Sequence, residues 1–253
     1  MKQLALILFV TLSIFSCKSK KEIDHSNVPH PLLLRIESSR DTFEFAYTNS
    51  ELTKLSVIIN GRINNFQTYS FDSKHEKLTL LPFDFNGDPI SYNGKIPSKE
   101  TYVYNGKKLI SYGEEGDAQY ALYEYDNKGQ IVKTSLFEDM VKTEENTYEY
   151  DASGNLIYEV AYDIKQSTRT KRYDHFYEYD KKKNPYSTMF PSFSPTEIEM
   201  LSPNNVIKAT FTPSGSSSEV NTFSYIYNEK EYPTSRITKG NGVQGEITKF
   251  YYQ

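Results

Sequence analysis

The sequence predicts an all-β protein, an antiparallel meander of hairpins that forms either a curled sheet or a closed or half-open β-barrel. A short motif recurs along the chain, in which aromatic-x-aromatic-Asp/Asn precedes two or three polar residues and then an apolar one. Asn-Gly pairs, a strong signal for a hairpin turn, lie between apolar residues. Tyrosine, which is enriched in strands, accounts for 22 of the 253 residues. These observations favour roughly 14–18 strands.

The first residues, MKQLALILFVTLSIFSC, are typical of a secretory signal. Lys2 gives a positive start, and the apolar run Leu4–Phe15 is shorter than the roughly twenty residues of a membrane-spanning helix. The stretch Ile14-Phe15-Ser16-Cys17 resembles a bacterial lipobox, and Cys17 is the only cysteine. The resemblance implies that residues 1–16 are a lipoprotein signal peptide and that Cys17 is acylated, with palmitate an expected chain. Ordinary signal cleavage is the alternative.

The rest of the chain divides into a tether and a domain. Residues 17–32 contain the polar stretch KSKKEIDHSNVPHP, which predicts a flexible tether after the lipidated Cys17. Residues 33–253 are predicted to form a single antiparallel β domain of hairpin repeats. We therefore expect the lipid to hold the domain at a membrane surface.

One motif copy, YEYDASGNL at Tyr148–Leu156, shows how a repeat would fold. Asp151 suits the first position of a type I turn, and Gly154 suits the left-handed residue of a G1 bulge. The loop predicts that Tyr150 pairs with Leu156 and that Tyr148 pairs with Tyr158. Aromatic and aliphatic side chains would then meet on one face of the hairpin.

The other copies vary in informative ways. Lys183 and Glu231 occupy the position equivalent to Gly154, so we expect their turns to differ. Pro185 and Pro233 follow these turns, which predicts an edge or a position without a ladder hydrogen bond. The second aromatic residues of the copies are Tyr47, Phe71, Tyr104, Tyr125, Tyr150, Tyr179 and Tyr227. The last two are 48 residues apart, about two repeats, which predicts a degenerate copy at Ile207–Gly215.

At the Tyr-x-Tyr-Asp units the sequence resembles the YD repeats of bacterial RHS and teneurin-type shells. It is more similar to the Tyr/Asp-repeat lipoproteins of Bacteroidetes, families of unknown function, some with a porin-like β fold. The phrases YDKKKNPY, LSPNN and YPTSRITKGNG…ITKFYY favour this second group. The resemblance covers about residues 42–253 and implies YD-type hairpins and an envelope location. We expect the outer membrane, with the face undetermined.

Several classes of chemistry find no support in the sequence. The net charge of −4, without a basic block, argues against nucleic acid. The four histidines lack metal-ligand spacing, so neither a metal nor another cofactor is predicted. Asp84, Asn86 and Asp88 have the spacing that opens a calcium loop, but Lys95 occupies its twelfth position, which favours a plain hairpin turn.

The leading functional interpretation is a non-enzymatic, lipid-anchored envelope protein that binds or scaffolds a protein or glycan partner. One alternative is a glycan hydrolase that uses paired carboxylates, such as those at 144–145 or at 114–117. Another is a barrel that carries a small apolar ligand. Tyr92 and Tyr112, which lie outside the motif, are the candidate ligand-binding residues. Charges on both faces of the strands argue against a membrane-spanning porin.

Overall fold

A computed structural model describes residues 31–90, 100–106, 108–113, 119–166, 168–189, 202–240 and 242–253. This part of the chain forms one closed antiparallel barrel of 16 strands. Each strand pairs with its neighbours in sequence, and β1 pairs with β16. The predicted all-β meander is confirmed, and the closed barrel is the form that it takes.

The strands are β1 Leu33–Glu37, β2 Asp41–Thr48, β3 Glu51–Ile59, β4 Arg62–Phe71, β5 Lys77–Asp84, β6 Glu100–Asn105, β7 Lys108–Tyr112, β8 Gln119–Tyr125, β9 Ile131–Glu138, β10 Val141–Tyr150, β11 Leu156–Lys165, β12 Thr168–Lys183, β13 Asn204–Pro213, β14 Glu219–Tyr227, β15 Pro233–Gly240 and β16 Val243–Tyr252. A 3₁₀ turn, Tyr186–Thr188, follows β12. Within the described ranges, no helix is long and apolar enough to cross a membrane.

The connections alternate between the two ends of the barrel. Turns that follow even-numbered strands contain the motif, and we call their end the motif end. Turns that follow odd-numbered strands lie at the opposite end, among them Asn60–Gly61 between β3 and β4. The φ angles of Asn60 and Gly61, 51° and 74°, are those of the predicted Asn-Gly hairpin turn.

The motif turn at Asp151 has the predicted geometry. The amide of Asp151 donates to the carbonyl of Asn155 (2.9 Å), and the amide of Gly154 donates to the carbonyl of Asp151 (3.1 Å). The Asp151 carboxylate accepts bonds from the amides of Ser153 and Asn155, both at 2.9 Å. Gly154 takes a φ of 91°, which an L side chain rarely adopts. Asp126 organises its own turn through the same set of bonds.

The predicted strand register is right for one pair and wrong for the next. Tyr150 lies opposite Leu156, but a β-bulge then shifts the register by one residue, so that Tyr148 lies opposite Glu159 instead of Tyr158. Tyr148 and Glu159 are buried, with 6 % and 9 % of their surface exposed. Tyr158 stacks on Phe176, which is half exposed, at a centroid distance of 4.3 Å. The bulge therefore separates the two tyrosines that simple alternation would place together.

The same register shift recurs at the motif end. Equivalent shifts fall between Ala46 and Tyr47, Val103 and Tyr104, Glu124 and Tyr125, and Ile226 and Tyr227. Bulges bend a strand and increase its twist. Their repetition around the sheet gives it the curvature that closure needs.

The expectations about the variant copies have different outcomes: the one for Glu231 is wrong, the one for Lys183 is confirmed, and for Pro233 the position without a ladder hydrogen bond is the alternative that holds. Glu231 keeps the motif turn, with a φ of 68° and an amide bond of 3.0 Å to the carbonyl of Asn228, so its turn does not differ. Lys183 does differ, because it lies within β12. Pro233 lies within a closed barrel and so not at an edge; it stands opposite Tyr227 at a register shift, where a missing donor is tolerated.

The predicted degenerate copy at Ile207–Gly215 is wrong. Ile207 lies in β13, and Gly215 belongs to the turn between β13 and β14, at the end of the barrel opposite the motif end. One repeat therefore separates Tyr179 from Tyr227. The extra length comes from β12, which has 16 residues, and from the connection between β12 and β13.

Candidate functional site

Four motif tyrosines and Tyr252 form a structural seam around the motif end. Five hydroxyls donate to backbone carbonyls on the preceding strand: Tyr47 to Leu33 (2.8 Å), Tyr125 to Leu109 (2.8 Å), Tyr150 to Ile131 (2.7 Å), Tyr225 to Val206 (2.9 Å) and Tyr252 to Pro233 (2.7 Å). Burial raises the pKa of Tyr125 and of Tyr225 to about 12. These hydroxyls therefore stay protonated at neutral pH and remain donors.

Inside the barrel, β12 to β16 and the 3₁₀ turn line a partly open cavity of about 340 Å³. This volume lies at the small end of the range of about 300–1,000 Å³ typical of ligand pockets. The lining is mostly aromatic and aliphatic: Tyr177, Pro185, Tyr186, Val206, Ala209, Phe223, Tyr225, Pro233 and Phe250, together with Asn184, Asn205 and Arg236. Such a lining suits a compact, largely apolar molecule.

Arg236 is the cationic group in this wall. It lies on β15, in register with Tyr225 on one side and Thr248 on the other. Its Nη2 lies 3.4 Å from Thr248 Oγ1, and its guanidinium carbon lies 5.5 Å from the ring centroid of Phe223. Its Nε is buried and has no hydrogen-bond partner among the residues that the structure describes. A hydrogen bond between Arg236 and the Tyr225 side chain opposes the rise in the pKa of Tyr225, so Arg236 is held in the wall by neutral partners.

The side-chain amides of Asn184 and Asn205 in the same wall form hydrogen bonds within the protein. The Asn184 side chain donates to the Ser202 carbonyl (2.9 Å) and accepts from the Tyr186 amide (3.0 Å). The Asn205 side chain donates to the Asp180 carboxylate at 3.3 and 3.4 Å. These bonds hold the connection after β12 against β13.

A polar cluster of Glu159, Tyr173, His175 and Tyr177 adjoins the cavity. The Tyr177 hydroxyl lies 2.9 Å from His175 Nδ1 and 3.5 Å from Glu159 Oε2, and the Tyr173 hydroxyl lies 3.3 Å from Glu159 Oε1. Tyr177 also lines the cavity. Sequence reasoning missed this cluster, because the bulge beside Tyr150 decides which face Glu159 occupies.

The adjacent carboxylates Glu144 and Glu145 point to opposite faces of β10, as strand alternation requires. Glu144 receives two bonds from Arg172, at 2.8 and 2.9 Å. Glu145 pairs with Lys142 and with Arg169, the latter at 3.0 Å. Partial burial acts to raise the pKa of Glu145, but these two cations outweigh it and lower that pKa. The two groups therefore do not form the acid–base pair that a hydrolase would need.

The predicted ligand-binding residues lie in different parts of the chain. Tyr112 is half-buried and packs against a buried hydrophobic cluster that includes Tyr102 and Leu109. Its ring centroid lies 5.0 Å from that of Tyr102. Its role in binding stays a prediction. Tyr92, the lipidation candidate Cys17 and the acidic cluster at 114–117 lie outside the described residues.

The calcium-like stretch forms a hairpin turn after β5, with the same backbone hydrogen bonds as the turn at Asp151. Asp84 Oδ1 accepts bonds from the amides of Asn86 and Asp88, both at 2.9 Å, so the carboxylate closes the loop on itself. In the described part of the chain, no group of three His, Cys, Asp or Glu side chains is placed to hold a metal ion.

Comparison with known proteins identifies the fold. No protein-family model and no curated protein matches the chain. A porin-like protein from Bacteroides uniformis aligns over 87 % of this chain and 96 % of its own, with 11 % identity and a TM-score of 0.53. A porin-like protein from Bacteroides vulgatus aligns over 88 % and 99 %, also with 11 % identity and a TM-score of 0.53. The chain is therefore similar in fold to these porin-like proteins, and the expected porin-like β fold is confirmed.

A more distant similarity involves the TcdB2-TccC3-Cdc42 assembly, with 12 % identity and a TM-score of 0.26. That score is too low to indicate a common fold.

Proposed function

We propose that the protein is a non-catalytic binding protein of the bacterial cell envelope that holds a small, largely apolar ligand inside its barrel. The observation that carries this proposal is the cavity of about 340 Å³ and its aromatic and aliphatic wall. Transfer of apolar surface from water into such a wall is favourable by about 25 cal/mol per Å². Of the functions that the sequence left open, a carrier of a small ligand fits this interior best.

The envelope location rests on the N-terminal sequence and on the fold. The stretch that ends in Cys17 resembles a lipobox, and the barrel is similar in fold to porin-like proteins of Bacteroides. We propose that the barrel stands in water, tethered through a lipid on Cys17. Exposed strand residues support this: Lys133 pairs with Glu124, and Lys208 pairs with Glu178, each at 2.6 Å. A lysine at the midplane of a bilayer on a lipid-facing strand would cost about 2–4 kcal/mol.

Calorimetric titration of the mature chain with 1-octanol tests the ligand site. We expect saturable binding to the wild type. Ala209→Phe, which fills the cavity from its wall, should weaken binding at least tenfold. Ala152→Phe, in the exposed turn after Asp151, is the matched control and should bind as the wild type does. The proposal is wrong if the wild type does not bind 1-octanol or if Ala209→Phe binds it equally well.

Cell fractionation tests the anchor separately. The wild type should sediment with membranes, and Cys17→Ala should appear in the soluble fraction. A Cys17→Ala protein that still sediments with membranes would overturn the lipoprotein proposal. Ser13→Ala, upstream of the lipobox, is the control and should leave sedimentation unchanged.

A second candidate function is contact with an envelope protein or glycan through the outer surface. The observation that favours it is the stacked pair Tyr158–Phe176, because 49 % of Phe176 is exposed. Exposed aromatic faces stack on sugar rings and contact proteins at low entropic cost. A pull-down from envelope extract should lose its partner with Phe176→Ser; a partner retained by this variant argues against the outer surface.

A further inference from the structure

We propose that the ligand of the interior cavity carries one carboxylate and that Arg236 binds it. This inference rests on the proposed function and adds the chemical class of the ligand: a compact monocarboxylate with an apolar body. It also makes Arg236 the residue that determines specificity.

Arg236 carries a positive charge in the wall of the cavity. The residue is half-buried and its Nε is fully buried, so the guanidinium loses part of its hydration, which neutral contacts only partly replace. Arg236 makes a long contact to the Thr248 hydroxyl, hydrogen-bonds to the Tyr225 side chain and lies at 5.5 Å from the Phe223 ring, and all three partners are neutral at pH 7. Among the described residues, no carboxylate forms an ion pair with Arg236. A carboxylate from outside the chain would supply the missing anion.

Arg172, on β12 of the same barrel, provides an internal comparison. Its two terminal nitrogens form a bidentate pair with Glu144, at 2.8 and 2.9 Å. Glu144 raises the pKa of Arg172 through this hydrogen bond, as expected for a satisfied pair. The fold therefore supplies Arg172 with a carboxylate of its own, whereas Arg236 faces a cavity instead.

The neighbours of Arg236 do not neutralise it. The Tyr225 hydroxyl donates its proton to the Val206 carbonyl, at 2.9 Å, and is neutral at pH 7. The Asp180 carboxylate accepts from the side chain and the backbone amide of Asn205 and from the Tyr227 hydroxyl. The Tyr225 hydroxyl and the Asp180 carboxylate are thus both committed to bonds within the fold.

The rest of the wall is largely apolar. Phe223 and Phe250 contribute rings, and Val206 and Ala209 contribute aliphatic surface. An inorganic anion would satisfy Arg236 but leave this surface in contact with water. A neutral apolar molecule would cover the surface but leave the guanidinium unpaired. A carboxylate with an apolar body satisfies both, and a planar carboxylate matches the fork of a guanidinium.

The test compares sodium octanoate with 1-octanol, two probes of equal chain length that differ in charge at pH 7. We expect the wild type to bind octanoate at least tenfold more tightly than 1-octanol, measured by calorimetric titration. Arg236→Met, which keeps the length of the side chain without its charge, should abolish this preference and still bind 1-octanol. Arg62→Met, on the exposed strand end beside the Asn60–Gly61 turn, is the control and should behave as the wild type does.

The outcomes separate the two proposals. If the wild type binds neither probe, the interior site itself is wrong. If it binds both equally, or if the preference for octanoate survives in Arg236→Met, the site stands and its carboxylate specificity is wrong. If Arg236→Met does not fold, the pH dependence of binding to the wild type provides the test. The affinity of the wild type for octanoate should fall from pH 7 to pH 4 as the probe protonates, while its affinity for 1-octanol stays unchanged. An octanoate affinity that does not change with pH overturns the specificity.

Discussion

The hydroxyl of Tyr150, at the end of β10, donates a 2.7 Å hydrogen bond to the backbone carbonyl of Ile131, at the start of β9. The bond fastens the open end of the β9–β10 hairpin, whose other end is closed by the turn at Asp139–Met140. Ile131 is buried, so its carbonyl depends on a partner from within the protein. The motif tyrosine thus links one repeat to the one before it.

Tyr150→Phe removes this bond and leaves the aromatic ring in place. We expect the free energy of unfolding to fall by about 1 kcal/mol, the usual net contribution of one buried hydrogen bond. Urea unfolding followed by circular dichroism measures the change. Tyr158→Phe in the same hairpin is the control: its ring lies on the outer face, and the loss should stay within about 0.5 kcal/mol. Equal losses in the two variants would contradict a special role for the seam.

The seam also predicts a loss of stability at high pH. Burial raises the pKa of Tyr125 to about 12, from about 10 in the unfolded chain. Above pH 10 the unfolded chain releases a proton that the folded protein retains, so the contribution is complete below pH 10 and is lost as the pH rises toward 12. The free energy of unfolding, measured from pH 8 to pH 12, should decline from about pH 10. Tyr125→Phe should show a shallower decline, and an identical slope would contradict the assignment.

Local turn chemistry was predictable from the sequence. Asp151 and Gly154 have the spacing of a type I turn with a G1 bulge, and the bonds of that turn involve neighbouring residues only. The sequence did not decide between a curled sheet and a closed barrel, because closure depends on bulges that accumulate around all the hairpins. The Tyr148–Tyr158 pairing failed for the same reason: a one-residue shift moves every later side chain to the other face.

The candidate site was beyond sequence reasoning. The stretch YPTSRITKG around Arg236 reads as an ordinary strand with a surface charge. Its register is shifted at both ends, beside Tyr227 and beside Lys239, so alternation could not assign a face to Arg236. The cavity itself combines side chains from five strands, a relationship that exists only after these strands have paired and curved.

The turn at Asp151 predicts a loss of stability in acid. Partial burial acts to raise the pKa of Asp151, but hydrogen bonds from Asn155, Ser153 and Gly154 outweigh it and hold the pKa below its ordinary value. The contribution of the carboxylate is therefore present above about pH 4 and is lost as the pH falls through the lower folded value. Asp151→Ala should lower the free energy of unfolding by about 2 kcal/mol at pH 7 and by much less near pH 2.

Asp151→Asn separates charge from hydrogen bonding in the same experiment. Its side-chain oxygen still accepts bonds from the turn amides, so the loss at pH 7 should be smaller than in Asp151→Ala and independent of pH. A loss in Asp151→Ala that is as large at pH 2 as at pH 7 would show that the ionised carboxylate does not contribute.

The strained copy of the motif turn offers a route to a more stable protein. Glu231 holds a φ of 68°, where the equivalent Gly154 holds 91°. A side chain in this region costs about 1–2 kcal/mol in backbone strain, which glycine avoids. Glu231→Gly should therefore raise Tm by about 2–4 °C, as expected for a gain of about 1 kcal/mol in a domain of this size. Glu231→Gln is the control: it removes the ion pair with Lys182 but keeps the strain, so Tm should not rise. An equal rise in both variants would assign the effect to charge rather than to the backbone.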